Sequence, residues 1–305
     1  MTMFPHLFSE RGLSLDRLRA LVEVASAGGI ARAVHGDPAL QSLYSRQIKE
    51  LGEFFGAELA RKKGKYLVLT PEGEELVRIS REAMCALEDF KCRTRNTMYR
   101  FTLGAGDSQH AWMAAPVLAS MVRQGLPWQF LFKNLRNSEI SKGLLDMELD
   151  FGIVRSSALS SDLLESRKIT TVSYALYVPR PMVPPGREKD FKWLLENRPL
   201  TTLTNDTTFY ASLVDCLRNL GIDGDAFCGT QSFPFAARLL KSGAYMAILP
   251  NIAECDLDAS ILKVEDPVLA PLNREFSLAW NPRLVKVRPV AERVIDFFIK
   301  HLIGA

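Results

Sequence analysis

The stretch QSLYSRQIK at residues 41–49 sets Gln41, Ser42, Ser45, Arg46 and Lys49 close together within a segment of helical apolar periodicity. None of them is a nucleophile with a base at its side. Their chemistry is that of hydrogen-bonding groups able to read a planar edge or an anion: glutamine pairs in bidentate fashion with adenine, arginine with guanine or a phosphate, serine with a base or the sugar-phosphate backbone. Enzyme signatures are missing from the rest of the chain. There is no GxSxG, P-loop or HExxH, and His6, His35, His110 and His301 stand in unrelated contexts. Ser108 and His110, two residues apart at a helix start, cannot face one another. No cofactor, metal or catalytic site is expected.

The elements that must position the polar group are legible around it. Leu18, Leu21, Val22 and Ala25 predict a first helix, starting at Asp16 and stopping at Gly28-Gly29. IARAVH gives a brief second helix closed by Gly36-Asp37-Pro38, and a third runs from Pro38 to Phe55. In the third, Leu40, Leu43, Tyr44, Ile48, Leu51 and Phe55 are expected to pack inward, leaving Gln41, Ser42, Ser45, Arg46 and Lys49 opposite. The arrangement fits a helix-turn-helix, in which the second helix of the pair enters the major groove with its N-terminal half. A basic loop follows, with Arg61, Lys62, Lys63 and Lys65 around Gly64, and then a β-type run from Tyr66 to Leu69. Together they read as a wing approaching phosphates or the minor groove; a solvated helix face and a charged hairpin are the plainer alternative.

Thr70 and Pro71 open a long helix to residue 96, on which Leu76, Ile79, Ala83, Leu87 and Phe90 repeat at three and four residues. Such a stripe needs a partner, either the chain's own domains or another helix. From Phe101 strands and helices alternate, which predicts parallel sheets with covering helices. The order recurs in the second half, giving two similar lobes with crossings near Ile169 and near Pro267 to Pro271.

Composition sets wide bounds. Among 305 residues, 47% are hydrophobic and 24% charged, ordinary for a globular protein, and the net charge of +3 is too small to identify a polyanion partner. Distribution is more informative: Arg11 to Pro71 holds ten Lys and Arg against six Asp and Glu, a local excess larger than the whole chain's. Five cysteines without a CxxC pair, no secretory signal and no membrane-length apolar run lead to the expectation of a cytoplasmic protein with reduced thiols.

The stretch LDRLRALVEVASAGGIARAV…LQSLYSRQIKELGEFFGAEL…GKYLVLTPEGEEL resembles the N-terminal domain of LysR-type transcriptional regulators, without gaps from Leu18 to Leu76. SRQI, Leu51, FG and the LTxxG at Leu69 to Gly73 carry the resemblance, and LLDMELDFGIVR and LLKSGAYMAILP extend it with lower specificity. Gln41, Ser45 and Arg46 match recognition-helix positions, and Lys62 stands where the family usually has arginine. Leu40-Gln41-Ser42-Leu43 replaces the common Ser-Gln-Pro-Ala, Glu58 and Tyr66 stand at frequently basic positions, and Tyr245 replaces a usual glycine.

The resemblance implies a fold that is α/β overall: a mainly α winged helix-turn-helix, a long linker helix and a two-lobed effector domain like periplasmic binding proteins. Residues 1–12 are an N-terminal extension, 13–70 the DNA-binding domain and 71–96 the linker. The effector domain is 97–305, with lobe I about 97–169 and 268–305 and lobe II about 170–267. Expected partners are a double-stranded, near-palindromic DNA operator, a second copy as homodimer or homotetramer through Leu76, Ile79, Ala83, Leu87 and Phe90, and a small-molecule effector of small organic-anion type; no membrane is involved. Ser108, Gln109, Asn137, Ser138, Arg155, Thr204, Thr207, Thr208 and Phe233 are the effector candidates, because ligands in such folds sit at strand ends against helix N-termini. A solute-binding or sensor protein whose front domain no longer binds DNA is the alternative.

Overall fold

The computed structural model describes residues 4–8, 11–63, 66–159, 162–204, 206–222 and 227–302. The chain forms two compact units: Met1–Thr97 with Asp146–Glu148 and Arg283–Pro289, and Met98–Leu145 with Leu149–Pro282 and Val290–Ala305.

In the first unit, α1 (Leu15–Ala27) is capped by the Ser14 hydroxyl, which accepts from Arg17 N at 3.3 Å; Asp16 sits inside the first turn instead of starting it. Gly28 closes α1 at φ 68°, the left-handed stop that glycine takes without a Cβ penalty. After α2 (Ile30–Ala33), the Asp37 carboxylate accepts from Ala39 N and Leu40 N, and Pro38 opens α3 (Pro38–Phe55). Leu21, Val24, Ile48, Leu51, Leu59, Leu76 and Val77 form the core beneath. Leu40 and Phe55, expected inward, are exposed, because they lie on the first and last turns of α3, beyond the region where Ile48 and Leu51 meet α1.

Beyond α3 the expected basic loop is a strand: β1 (Ala60–Lys63) pairs antiparallel with β2 (Tyr66–Leu69), with Ala60 opposite Leu69 and Lys63 opposite Tyr66. Pairing with a β-prone neighbour draws ARKK into the ladder despite its weak strand preference. The long helix α4 (Pro71–Arg95) begins where the Thr70 hydroxyl accepts from Gly73 N at 3.1 Å. A Cβ at Gly73 would lie 2.0 Å from Leu59 O, so the close seating of α4 on the approach to β1 requires glycine.

The second unit holds two five-stranded sheets. In the first the order is β4 (Trp128–Asn134), β3 (Tyr99–Ala105), β5 (Phe151–Arg155), β12 (Arg274–Trp280) and β6 (Glu165–Val172). The second runs β11 (Ile261–Val264), β7 (Tyr174–Pro179), β10 (Met246–Pro250), β8 (Leu200–Leu203) and β9 (Phe227–Thr230). Both are mixed, where parallel sheets were expected. β3 runs parallel to β4 and β5, and β8 parallel to β9 and β10, but β12 is antiparallel to β5 and β6, and β7 antiparallel to β10 and β11. The reversed member of each sheet is the first strand after a crossing, β7 after Ser173 and β12 after Pro267–Leu272, where no covering helix returns the chain for a parallel entry; β6 and β11 run with the parallel strands.

Helices cover the sheets. α5 (Asp107–Gln109) continues through a π-helical turn, His110–Ala114, into α6 (Ala115–Arg123); α7 (Asn137–Leu145) also belongs to the first lobe. The second lobe carries α8 (Phe191–Asn197), α9 (Thr207–Arg218) and α10 (Phe233–Lys241). The chain closes with α11 (Pro282–Val287) and α12 (Val290–Leu302). Trp112, on the π turn, is buried in the second lobe's core and donates from Nε1 to Asp256 Oδ2 at 2.8 Å, fastening the lobes together.

Candidate functional site

Two surfaces carry functional chemistry. On α3, Ser42, Ser45, Arg46 and Lys49 are exposed and Gln41 is half-buried. Arg46 Nε lies 3.9 Å from Glu50 Oε1 and Lys49 Nζ 3.4 Å from Glu53 Oε1. Exposed pairs four residues apart on a helix stabilise by only about 0.3–0.5 kcal/mol, so both cations can exchange a carboxylate for a phosphate or base edge at small cost. Asp37 already occupies the N-terminus of α3, which leaves recognition of an anion there to side chains. Arg61 is exposed on β1, which also carries Lys62 and Lys63; Lys65 lies outside the described residues.

The apolar stripe on α4 divides. Leu76 is 9% exposed and belongs to the first unit's own core, whereas Ile79, Leu87 and Phe90 are 53%, 54% and 57% exposed. Leu76 is therefore removed from the dimer candidates: the first turns of α4 are covered by α1 and the β1–β2 hairpin, and only the later turns present the stripe. Ala83 lies exposed between Ile79 and Leu87.

The other face of α4 holds charges that the sequence reading did not single out. Arg81 donates to Ser26 Oγ at 2.9 Å, Asp146 O at 2.6 Å and Glu148 Oε1 at 2.6 Å. Asp89 receives two bonds from Arg288, at 2.8 and 2.9 Å. Partners this far apart in sequence leave no local pattern.

The second surface is a cleft of about 730 Å³ between the two lobes of the second unit. Six of the expected residues line it: Ser108, Gln109, Asn137, Ser138, Arg155 and Phe233. Thr204 and Thr208 do not. Thr204 Oγ1 turns to Thr230 O at 3.3 Å, and Thr208 is exposed on α9 away from the cleft. Thr207 begins α9, and its side chain lies outside the described residues. Asp107, Arg136, Tyr174, Asp206, Phe209, Gln231, Ser232 and Phe276 are among the other lining residues. Asp107, Arg136 and Asp206 flank the strand ends that the sequence reading pointed to; Tyr174 is hidden in a strand that reads as uniformly buried.

Two polar ties cross the cleft: Arg155 pairs with Asp206, and the Ser232 hydroxyl donates to Asp107. Asn137 Oδ1 accepts from Arg155 N at 3.2 Å, and Glu139 Oε2 accepts from Arg136 N at 2.8 Å, so the carboxylates of Asp107, Glu139 and Asp206 are all engaged. The Arg136 guanidinium is exposed and has no ion-pair partner among the described residues. Tyr174, Phe209 and Phe233 form an aromatic wall with ring centroids 5.1, 5.1 and 5.8 Å apart. Burial pushes the Tyr174 phenol up to about 12, so it remains a neutral hydrogen-bond donor across the physiological range. Burial also pulls the neighbouring His110 imidazole down, against the opposing pull of Asp107.

A winged helix-turn-helix unit with a long helix, together with a two-lobed α/β unit around a polar cleft, defines a regulator architecture rather than an enzyme's. Residues 95–303 match the family model of the LysR substrate binding domain. A probable nitrogen assimilation transcriptional activator of Synechococcus elongatus is 24% identical over 291 residues, 91% of this chain and 92% of that protein. ArgP from Mycobacterium tuberculosis has a similar structure, at a TM-score of 0.67 and 14% identity over 96% of this chain and 98% of that one. Full-length CbnR, solved in complex with its target DNA, has a TM-score of 0.53 at 16% identity, covering 92% of this chain and 100% of its own. The chain belongs to the family of LysR-type transcriptional regulators.

Proposed function

We propose that this regulator binds a near-palindromic operator as a dimer or tetramer, inserting α3 in the major groove, and responds to a small organic acid held in the cleft. The observation that carries the reading is the exposed polar face of α3, where Ser42, Ser45, Arg46 and Lys49 stand clear of the protein and Gln41 flanks them. CbnR, which shares the fold, is solved on DNA, which supports the same use of this unit. Residues 13–70 then serve as the DNA-binding domain, with Arg61, Lys62, Lys63 and Lys65 of the wing on phosphates, and 71–96 as the dimerisation helix, with Ile79, Ala83, Leu87 and Phe90 against a second copy. Residues 97–305 serve as the effector domain.

A small acid suits the cleft because its carboxylates are already engaged, while Arg136, Ser108 and Ser138 offer donors beside the aromatic wall. Retention of genomic fragments by the purified protein tests the DNA reading. Wild type is expected to select a small set of fragments. Arg46→Ala should weaken binding to them by about 1–3 kcal/mol, and Gln41→Ala should relax preference at one base position per half-site. Undiminished selection by the folded double variant would remove α3 from the interface.

A further inference from the structure

Arg155 closes one strand of the first lobe, and Asp206 caps a helix of the second, so their ion pair spans the cleft. The two partners are not equally dependent on it. Asp206 Oδ1 also accepts from Phe209 N at 3.1 Å, and its charge sits at the N-terminus of the twelve-residue α9, so it stays compensated if Arg155 leaves. The Arg155 guanidinium has Asp206 as its one carboxylate partner among the described residues, and Arg274 adds a second positive charge nearby. Both side chains are about a quarter exposed, at 24% and 23%, on the wall of the cleft, where a ligand can reach them.

We propose that Asp206 is a built-in stand-in for the effector's carboxylate: a small monocarboxylate with an apolar or aromatic body takes Asp206's place on Arg155 and lays that body against Tyr174, Phe209 and Phe233. This rests on reading the cleft as the effector site. Binding is an exchange of partners, in which one carboxylate replaces another on the same guanidinium and the released Asp206 keeps its cap on Phe209 N at the start of α9. It releases one tie between the lobes and leaves Ser232–Asp107 and Trp112–Asp256 in place. The lobes therefore stay joined while the contact that fixes α9 to the first lobe is given up, which is the differential interaction a switch requires.

The exchange predicts that Asp206 weakens the very ligand it imitates. If Asp206 holds Arg155 in about nine molecules of ten, its removal should raise apparent carboxylate affinity about tenfold. Asp206→Asn is the suitable variant, because asparagine retains the cap on Phe209 N while losing the charge. Calorimetric titration of the full chain with phenylacetate, and with its uncharged counterpart phenylacetamide, reads the effect. The expected result is about tenfold tighter phenylacetate binding in Asp206→Asn, unchanged phenylacetamide, and loss of phenylacetate binding in Arg155→Gln, with all three proteins unfolding cooperatively. Equal phenylacetate affinity in wild type and Asp206→Asn, with loss in Arg155→Gln, overturns the exchange and leaves the cleft as a carboxylate site. Phenylacetate binding that survives Arg155→Gln undiminished, or that is absent from all three proteins, overturns the carboxylate reading of the cleft and the exchange with it.

Discussion

Asp89→Ala is expected to lower the stability of the first unit by about 3–5 kcal/mol, because it removes the carboxylate that compensates the charge of a buried guanidinium. Arg288 is 4% exposed and Asp89 10%, and the two N–H···O bonds between them, at 2.8 and 2.9 Å, are in the short range of charge-assisted pairs. Taking two charges out of water is costly, and their attraction offsets that cost only while both are present. Urea denaturation of wild type and variant measures the loss. Replacing both partners with apolar residues of similar volume should recover most of it, since no charge is then left alone. A loss below about 1 kcal/mol would mean that Arg288 finds water or another acceptor, and that the pair contributes little.

Ala83→Glu is expected to turn the protein into a monomer and abolish binding to paired half-sites. Ile79, Leu87 and Phe90 form an exposed apolar stripe with Ala83 at its centre, and single exposed apolar residues are common but an aligned set on one helix face is not. In a dimer the substitution places two carboxylates in the seam, each costing several kcal/mol to desolvate, against apolar burial worth about 25 cal/mol per Å². Sedimentation of the variant reads the assembly directly. A change at Leu76 should act differently, destabilising the monomer's core rather than separating two copies. If Ala83→Glu sediments as wild type does, the seam packs elsewhere.

How far the sequence carried depended on distance along the chain. Helix α3 was legible from Pro38 to Phe55 because its signals are local: a proline at the first position, a glycine just past the end and apolar residues at helical spacing. Strand β1 was not, since ARKK has little strand preference and becomes one only by pairing with Tyr66–Leu69. The reversed directions of β7 and β12 were hidden for a similar reason, because they are set by lobe crossings and not by the strands' own residues. In the cleft, Ser108, Asn137 and Arg155 were accessible as polar groups at or just past strand ends, a position that the fold class assigns to ligands. Thr204 shares that signature and yet bonds within its sheet, a choice made by Thr230 on a strand 26 residues later. Arg81 and Arg288 were beyond reach altogether: each is an ordinary surface-type residue until partners 67 and 199 positions away bury it.

The account stands most directly on a hydroxyl-radical footprint of the wild-type protein on a genomic fragment that it retains. Two copies of α3 presented by a symmetric dimer should protect two stretches related by near-palindromy, with centres about 10 bp apart or at a multiple of that spacing. Basic residues of the wing should extend the protection onto the flanking backbone without regard to sequence. Two such stretches, both lost in Arg46→Ala, are the predicted result. A single protected half-site, or uniform protection that Arg46→Ala leaves unchanged, would contradict it.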